Sequence, residues 1–319
     1  MAGITLKKLA ELSGLSVRTV NRVLKDQGEV TTEKRELVRR LARQYKYIPD
    51  IAARNLRLRR KNIVGVLTRD PLECEADQLQ VAELERQLFG AGYYPMLGTT
   101  QDCDVRHTLE EWNGTVDFVV SFRHPQMPKA LDPLADFPYT FIFVDCPAEE
   151  RYHRISVNRE SGIAAAYRSM IEAKCRRIVH CGTAGLRRPL VEHIAAELAG
   201  CAEFEYVTTE SSELQDGFAA GDAVMRSGAD AVFFDTDRMA LGFYRYAWAH
   251  SIRIPDDISV VGFDDSSFSK ALSPPLATVS HQVKEIIRAV VEIITSAPAS
   301  PVMRTFDTVL VRRDSIRRV

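Results

Sequence analysis

Six short apolar runs constrain this chain more than anything else in it: IVGVL (63–67), DFVVSF (117–122), TFIFV (140–144), RIVHC (177–181), DAVFF (230–234) and ISVVGF (258–263). A strand with one wet face alternates apolar and polar residues, and these runs do not. They need cover on both faces, which parallel strands receive when helices cross over between them. Helical stretches do lie between the runs. The expectation is an α/β body over residues 62–319, long enough for two doubly wound parallel-sheet lobes.

Several of these runs end in acid. LTRD supplies Asp70, IFVD supplies Asp145, FFDTD supplies Asp235 and Asp237, and VVGFDD supplies Asp264 and Asp265. Ligands of open α/β sheets collect outside the carboxyl ends of the strands, where carboxylates accept hydrogen bonds from hydroxyl groups. Arg187, in the loop after RIVHCG, adds a cation. An aspartate between strand and helix also serves as an N-cap, and Asp237 ahead of RMALGFYRYA fits that role as well. Both readings stand for each acid.

The first 61 residues are of another kind. They carry 16 Lys and Arg against 6 Asp and Glu, a net charge of +10, and the remainder of the chain carries −11. Such asymmetry points to a polyanion-binding head on an acidic body. Thr5 is placed to cap a helix with Leu6, Leu9, Ala10 and Leu12 at helical spacing, and Ser13-Gly14 breaks it. Ser16 caps a second helix whose apolar side is Val17, Val20, Val23 and Leu24. Its opposite stripe is Arg18, Asn21, Arg22 and Lys25. Taken alone that stripe is an ordinary solvated face; on one helix of a small basic unit it is suited to base edges and phosphates in a major groove. A third helix after Thr31-Thr32, with Leu37, Val38, Leu41 and Tyr45 on one side, completes a small all-α helix-turn-helix head over residues 1–48.

The segments TLKKLAELSGLSVRTVNRVL and VTTEKRELVRRLARQYKYIPDIAARNLR closely resemble the DNA-binding domain of the LacI/GalR family of bacterial transcription regulators. The resemblance implies that Val17 and Arg18 read bases, with Thr19 and Arg22 nearby for phosphate or base contact. The DNA-facing set is then Thr5, Ser16, Val17, Arg18, Thr19, Asn21 and Arg22. It also implies that DIAARNL, within a hinge and linker over 49–61, forms a short helix that enters the minor groove beside its copy from a second subunit. There Ala53 lets the backbones approach, Leu56 wedges a base step, and Arg54, Asn55 and Arg57 hold the sugar-phosphate backbone. Such a helix is too short to be stable alone and is expected to fold on the operator.

DTDRMALGFYRYAWAHSIRIPDDISVVGFDDSSFSKALSPPLATV resembles the periplasmic-binding-protein-like effector domain of the same family, and FDTVLVRRDS its closing strand. By that match the effector contacts fall on Arg187, with Arg188 as the alternative position for the arginine, and on Thr236 and Asp264. Thr236 stands where relatives carry asparagine, and Glu192-His193 where they carry glycine and an aromatic residue. The lobes implied are about 62–157 with 283–305, and about 158–282 with 306–319.

No segment approaches the ~20 apolar residues of a membrane span, and the first fifteen residues lack a secretory pattern, so a cytoplasmic protein is expected. The six cysteines form no C-x-x-C pair and suit reduced core thiols; the seven histidines show no ligand spacing, so neither metal nor other cofactor is expected. The chain leaves RRDSIRRV soon after its last strand, which favours a homodimer through the body over a tetramer. The leading reading is a regulator, commonly a repressor, that binds a pseudo-palindromic DNA operator under control of a small-molecule effector such as a sugar or sugar derivative. Two others are weighed against it: a metal-dependent enzyme using Asp235-Thr236-Asp237 as a D-x-D site, and a ligand-binding transport protein.

Overall fold

The structure is a computed structural model; it describes residues 4–24, 26–47, 61–68, 75–99, 105–122, 137–146, 150–185 and 187–318. The chain divides into two compact units, Met1–Asn62 and Ile63–Val319.

In the first unit α1 (Leu6–Ser13), α2 (Val17–Leu24) and α3 (Thr32–Gln44) close on a core of Leu9, Ala10, Val20, Val23 and Val38. Thr5 caps α1, its hydroxyl accepting from the Lys8 amide at 3.2 Å. Gly14 ends α1 at φ 65°, a conformation that costs glycine little, and its amide returns to the carbonyls of Ala10 and Glu11. Ser16 then caps α2 by accepting from the Thr19 amide at 3.1 Å. Three residues expected on apolar faces lie outside the core: Leu12, Val17 and Tyr45 are exposed.

The second unit holds two six-stranded sheets. The first is wholly parallel, in the order β11-β5-β4-β3-β1-β2, from β1 (Ile63–Thr68), β2 (Tyr94–Thr99), β3 (Phe118–Phe122), β4 (Thr140–Val144), β5 (His153–Asn158) and β11 (Met303–Asp307). The second runs β12-β10-β9-β8-β6-β7, from β6 (Arg177–Thr183), β7 (Glu203–Thr209), β8 (Ala231–Phe234), β9 (Ser259–Phe263), β10 (Ala277–Ser280) and β12 (Val309–Val311), with only β12 antiparallel. Each sheet is covered on both faces. Leu84 and Leu88 pack with Ile286, Val290 and Ile294 on one side of the first, and Leu109 and Trp112 with Phe141 and Phe143 on the other. Tyr167, Met170 and Ile194 cover one side of the second, and Met239, Phe243 and Ala247 the other. All six apolar runs are strands of this double-wound body.

FDTVLV, taken as one closing strand, is two. β11 completes the first sheet, Thr308 turns the chain, and β12 joins the second. The turn is tied down: the Thr308 hydroxyl donates toward the carbonyls of Asn158 (3.1 Å) and Arg159 (3.2 Å) and accepts from the Gly162 amide at 3.1 Å. The Asp307 carboxylate accepts from Asn158 Nδ2 at 2.8 Å, and its carbonyl from Gln282 Nε2 at 2.6 Å. These residues belong to the three places where the chain passes from one sheet to the other.

Among the described cysteines, Cys146, Cys175 and Cys181 are buried as expected of core thiols, but Cys201 is exposed, because it falls in the loop before edge strand β7. No helix of the described residues is long and apolar enough to cross a membrane.

Candidate DNA-reading face and effector site

α2 is amphipathic in the sense the sequence predicts. Val20 and Val23 are buried, while Arg18, Asn21 and Arg22 are exposed on the opposite side and Val17 is 39% exposed at the start of the helix. Thr19 is half-buried and ties its hydroxyl to that of Ser16 at 2.9 Å. The chain then turns through Asp26, at φ 54°, whose carboxylate accepts from Arg35 at 2.8 Å and closes on Arg39. Asp26 thus balances two cations of α3, while the described cations of α2, Arg18 and Arg22, have no ion-pair partner among the described residues. Ala53, Arg54, Asn55, Leu56 and Arg57 lie outside the described residues.

The body's candidate site is built from strand ends. β8 delivers Asp235, which is buried. Its Oδ1 accepts from His180 Nε2 at 3.2 Å and Arg187 Nη1 at 3.3 Å, and its Oδ2 from the Thr183 amide at 3.1 Å. Room for this carboxylate comes from Gly182 on neighbouring β6, where a Cβ would lie 2.1 Å from Oδ2. Burial pushes the Asp235 carboxyl up, but the His180 hydrogen bond and the Arg187 charge outweigh it and hold the group below the usual carboxylate range. Arg187 also donates to the Asp235 carbonyl and lies over the Phe263 ring, 4.1 Å from its centroid. Phe263 precedes Asp264, whose carboxylate faces buried His281 at 3.3 Å. Arg187 thus joins Asp235 to the Phe263 ring, and His281, edge-on to the same ring at 5.0 Å, faces Asp264.

Asp237 departs from both of its expected roles. The N-cap of the helix Asp237–Ala249 is Thr236, whose hydroxyl accepts from the Met239 amide at 3.2 Å and donates to the Ser212 carbonyl at 3.0 Å. Thr236 is thus committed to the protein itself. Asp237 is 0% exposed; it accepts from Thr278 Oγ1 at 2.6 Å and the Ser266 amide at 2.7 Å, bracing the loop after β9. Gly262 makes its room, a Cβ there lying 2.1 Å from Oδ1. Burial and the nearby Asp264 and Asp265 push the Asp237 carboxyl well above the usual range, against the bonds from Thr278 and Ser266. Asp235 and Asp237 are therefore held by separate partners and do not form a D-x-D pair turned on one ion.

Asp145, at the end of β4, is not an open acceptor either: Arg159, which leads the helix Glu160–Glu172, donates to its Oδ1 at 3.0 Å and closes on its Oδ2. Asp265 is paired in the same way with Arg313 at 2.6 Å. Asp70 lies outside the described residues. Sequence reasoning missed His180, His281 and Arg159. The histidines sit inside strand-end sequences, where a polar residue interrupting an apolar run is the signal that could have found them.

The comparisons with known proteins agree with this architecture. Residues 5–50 match the pattern of bacterial regulatory proteins of the lacI family, and residues 167–316 that of the periplasmic binding protein-like domain. The chain is 29% identical to the HTH-type transcriptional regulator CelR of Thermobifida fusca over 98% of each chain. It is 26% identical to the ribose operon repressor of Bacillus subtilis over 98% of this chain and 99% of that one. A solved lac repressor dimer, bound to operator and the anti-inducer ONPF, superposes with a TM-score of 0.77 at 20% identity, covering 99% of this chain and all of that one. With the helix-turn-helix head, the two parallel-sheet lobes and these relatives together, the chain belongs to the LacI family of bacterial transcription regulators, DNA-binding proteins whose body is an effector-binding domain.

Proposed function

We propose that the protein is a repressor that binds a pseudo-palindromic operator as a homodimer in the cytoplasm, does no catalysis, and releases or tightens on DNA according to a small-molecule effector held between the lobes of residues 62–319. The observation that carries this reading is the exposed Arg18, Asn21 and Arg22 stripe on α2, set over a core that fixes its direction. A guanidinium at Arg18 suits O6 and N7 of a guanine, and Val17 suits a thymine methyl group. Thr5, Ser16, Thr19, Asn21 and Arg22 complete the DNA-facing set in the head, with Ala53, Arg54, Asn55, Leu56 and Arg57 in the hinge.

For the effector, the reading favours Arg187, Asp235 and Asp264, with Asp70 at the first lobe's strand ends and Asp145, Thr236 and Asp237, each held by the protein itself, acting behind the site. Relatives are described in complex with cellobiose and ribose, which supports a sugar or sugar derivative here. An effector acts only through a difference in its affinity for the two states of the body. Selection of fragments from a genomic library by the purified protein tests the function. An enriched motif with two related half-sites is expected; no enriched motif would overturn the reading.

A further inference from the structure

His180 belongs to none of the contacts assigned to DNA or effector, yet it is 2% exposed and stands directly behind Asp235. Its ring is stacked on Tyr206, centroids 5.2 Å apart at 21°, and meets Phe233 edge-on at 5.0 Å. An imidazole buried among aromatic rings is costly unless both nitrogens are satisfied. Both are: Nδ1 lies 2.9 Å from the Tyr167 hydroxyl and Nε2 lies 3.2 Å from the Asp235 carboxylate. A carboxylate only accepts, so Nε2 carries a proton and donates it to Asp235. The ring cannot turn without losing both bonds.

Asp235 is therefore fixed from behind, and Arg187 is fixed by Asp235. Only Nη1 of Arg187 is used, on the Asp235 carboxylate and carbonyl. Its Nε and Nη2, which form one planar donor edge, have no hydrogen-bond partner among the described residues, and the side chain stays 19% exposed. The charge of this guanidinium already faces the Asp235 carboxylate.

We propose that His180 is the positioning residue of this site: through Asp235 it aims the free edge of Arg187 at a neutral ligand carrying two adjacent oxygens, a vicinal diol, in preference to a carboxylate or phosphate. The ligand half of this proposal rests on the effector reading above; the positioning half does not. Two neutral oxygens side by side match the spacing of the edge. A full negative charge would meet a guanidinium already paired with the Asp235 carboxylate.

The test uses the full chain labelled with ¹⁵N at arginine. In the wild type the Arg187 Nη1–H protons, held by Asp235, are expected to give a shifted, slowly exchanging resonance. His180→Gln, which keeps a donor near Nε2, should retain the Arg187 resonance, and His180→Leu should lose it. A folded His180→Leu with the Arg187 resonance unchanged overturns the positioning role. Calorimetry with cellobiose, ribose and lactose, and with cellobionate, ribonate and lactobionate, tests the ligand. A neutral sugar should bind about tenfold or more tightly than its acid, with His180→Leu losing about tenfold and His180→Gln retaining most of the affinity. Tighter binding of an acid overturns the diol assignment. Binding of none of the six overturns it together with the sugar reading, while the arginine resonances decide the positioning role separately.

Discussion

Arg159 grips Asp145 with both terminal nitrogens, one at 3.0 Å from Oδ1 and the other closed on Oδ2. Asp145 ends β4 and Arg159 follows β5, so the pair spans the step by which the chain leaves the first sheet. Asp145→Ala removes a charged acceptor from a largely buried guanidinium and is expected to cost about 1–3 kcal/mol. Urea denaturation at neutral pH measures it; a midpoint unchanged from wild type would show that solvent replaces the acid fully.

Asp235 and Asp237 are expected to move stability in opposite directions with pH. The depressed pKa of Asp235 means that its contribution is present above the ordinary carboxylate range of about 4 and is lost as pH falls through the folded value. The raised pKa of Asp237 means that its contribution is fully present below that range and is lost as pH rises through the folded value. Asp237→Asn should therefore flatten the decline on the neutral side, and Asp235→Asn the decline on the acid side. Thermal midpoints from pH 3 to 8 for the three proteins check both signs.

Asp237→Ala is a harsher change than Asp237→Asn. It strands the Ser266 amide and the Thr278 hydroxyl, both buried, and is expected to cost about 2–5 kcal/mol for the two groups. Asparagine retains an acceptor for the amide and a donor for the hydroxyl. Denaturant midpoints for the two variants should differ clearly, alanine being the lower.

In the head, Arg18→Ala should relax preference at one base position in each half-site and weaken operator binding by about 1–3 kcal/mol. Ser16→Ala removes the cap of α2 and should cost about 1 kcal/mol of folding stability, with the base preference preserved. Binding selections at fixed salt separate the two: a changed consensus is expected for the first and an unchanged one for the second.

Central strands were legible in the sequence because burial on both faces leaves an uninterrupted apolar run, as in β4 and β9. Edge strands were not. β7, EFEYVTT, is exposed along much of its length, and β11 carries Arg304 and Asp307, so neither differs in composition from a loop. At the candidate site, the acids announced themselves by position after each run, but not which of them was already paired. That depended on residues distant in sequence: Arg313 for Asp265, 48 positions away, and Thr278 for Asp237, 41 positions away. The stripe of α2 needed no such knowledge, since a helix face is fixed by its own spacing.

The division of the closing segment at Thr308 bears on how the molecule is made. Synthesis delivers the reading head well before residues 303–311, yet β11 and β12 are the outermost strands of different sheets. Until that stretch emerges, β5 and β10 each present a bare row of amides and carbonyls, the feature that invites strands of neighbouring chains. A nascent chain thus carries a finished DNA-binding unit ahead of two unfinished sheets, and one short stretch of backbone seals both.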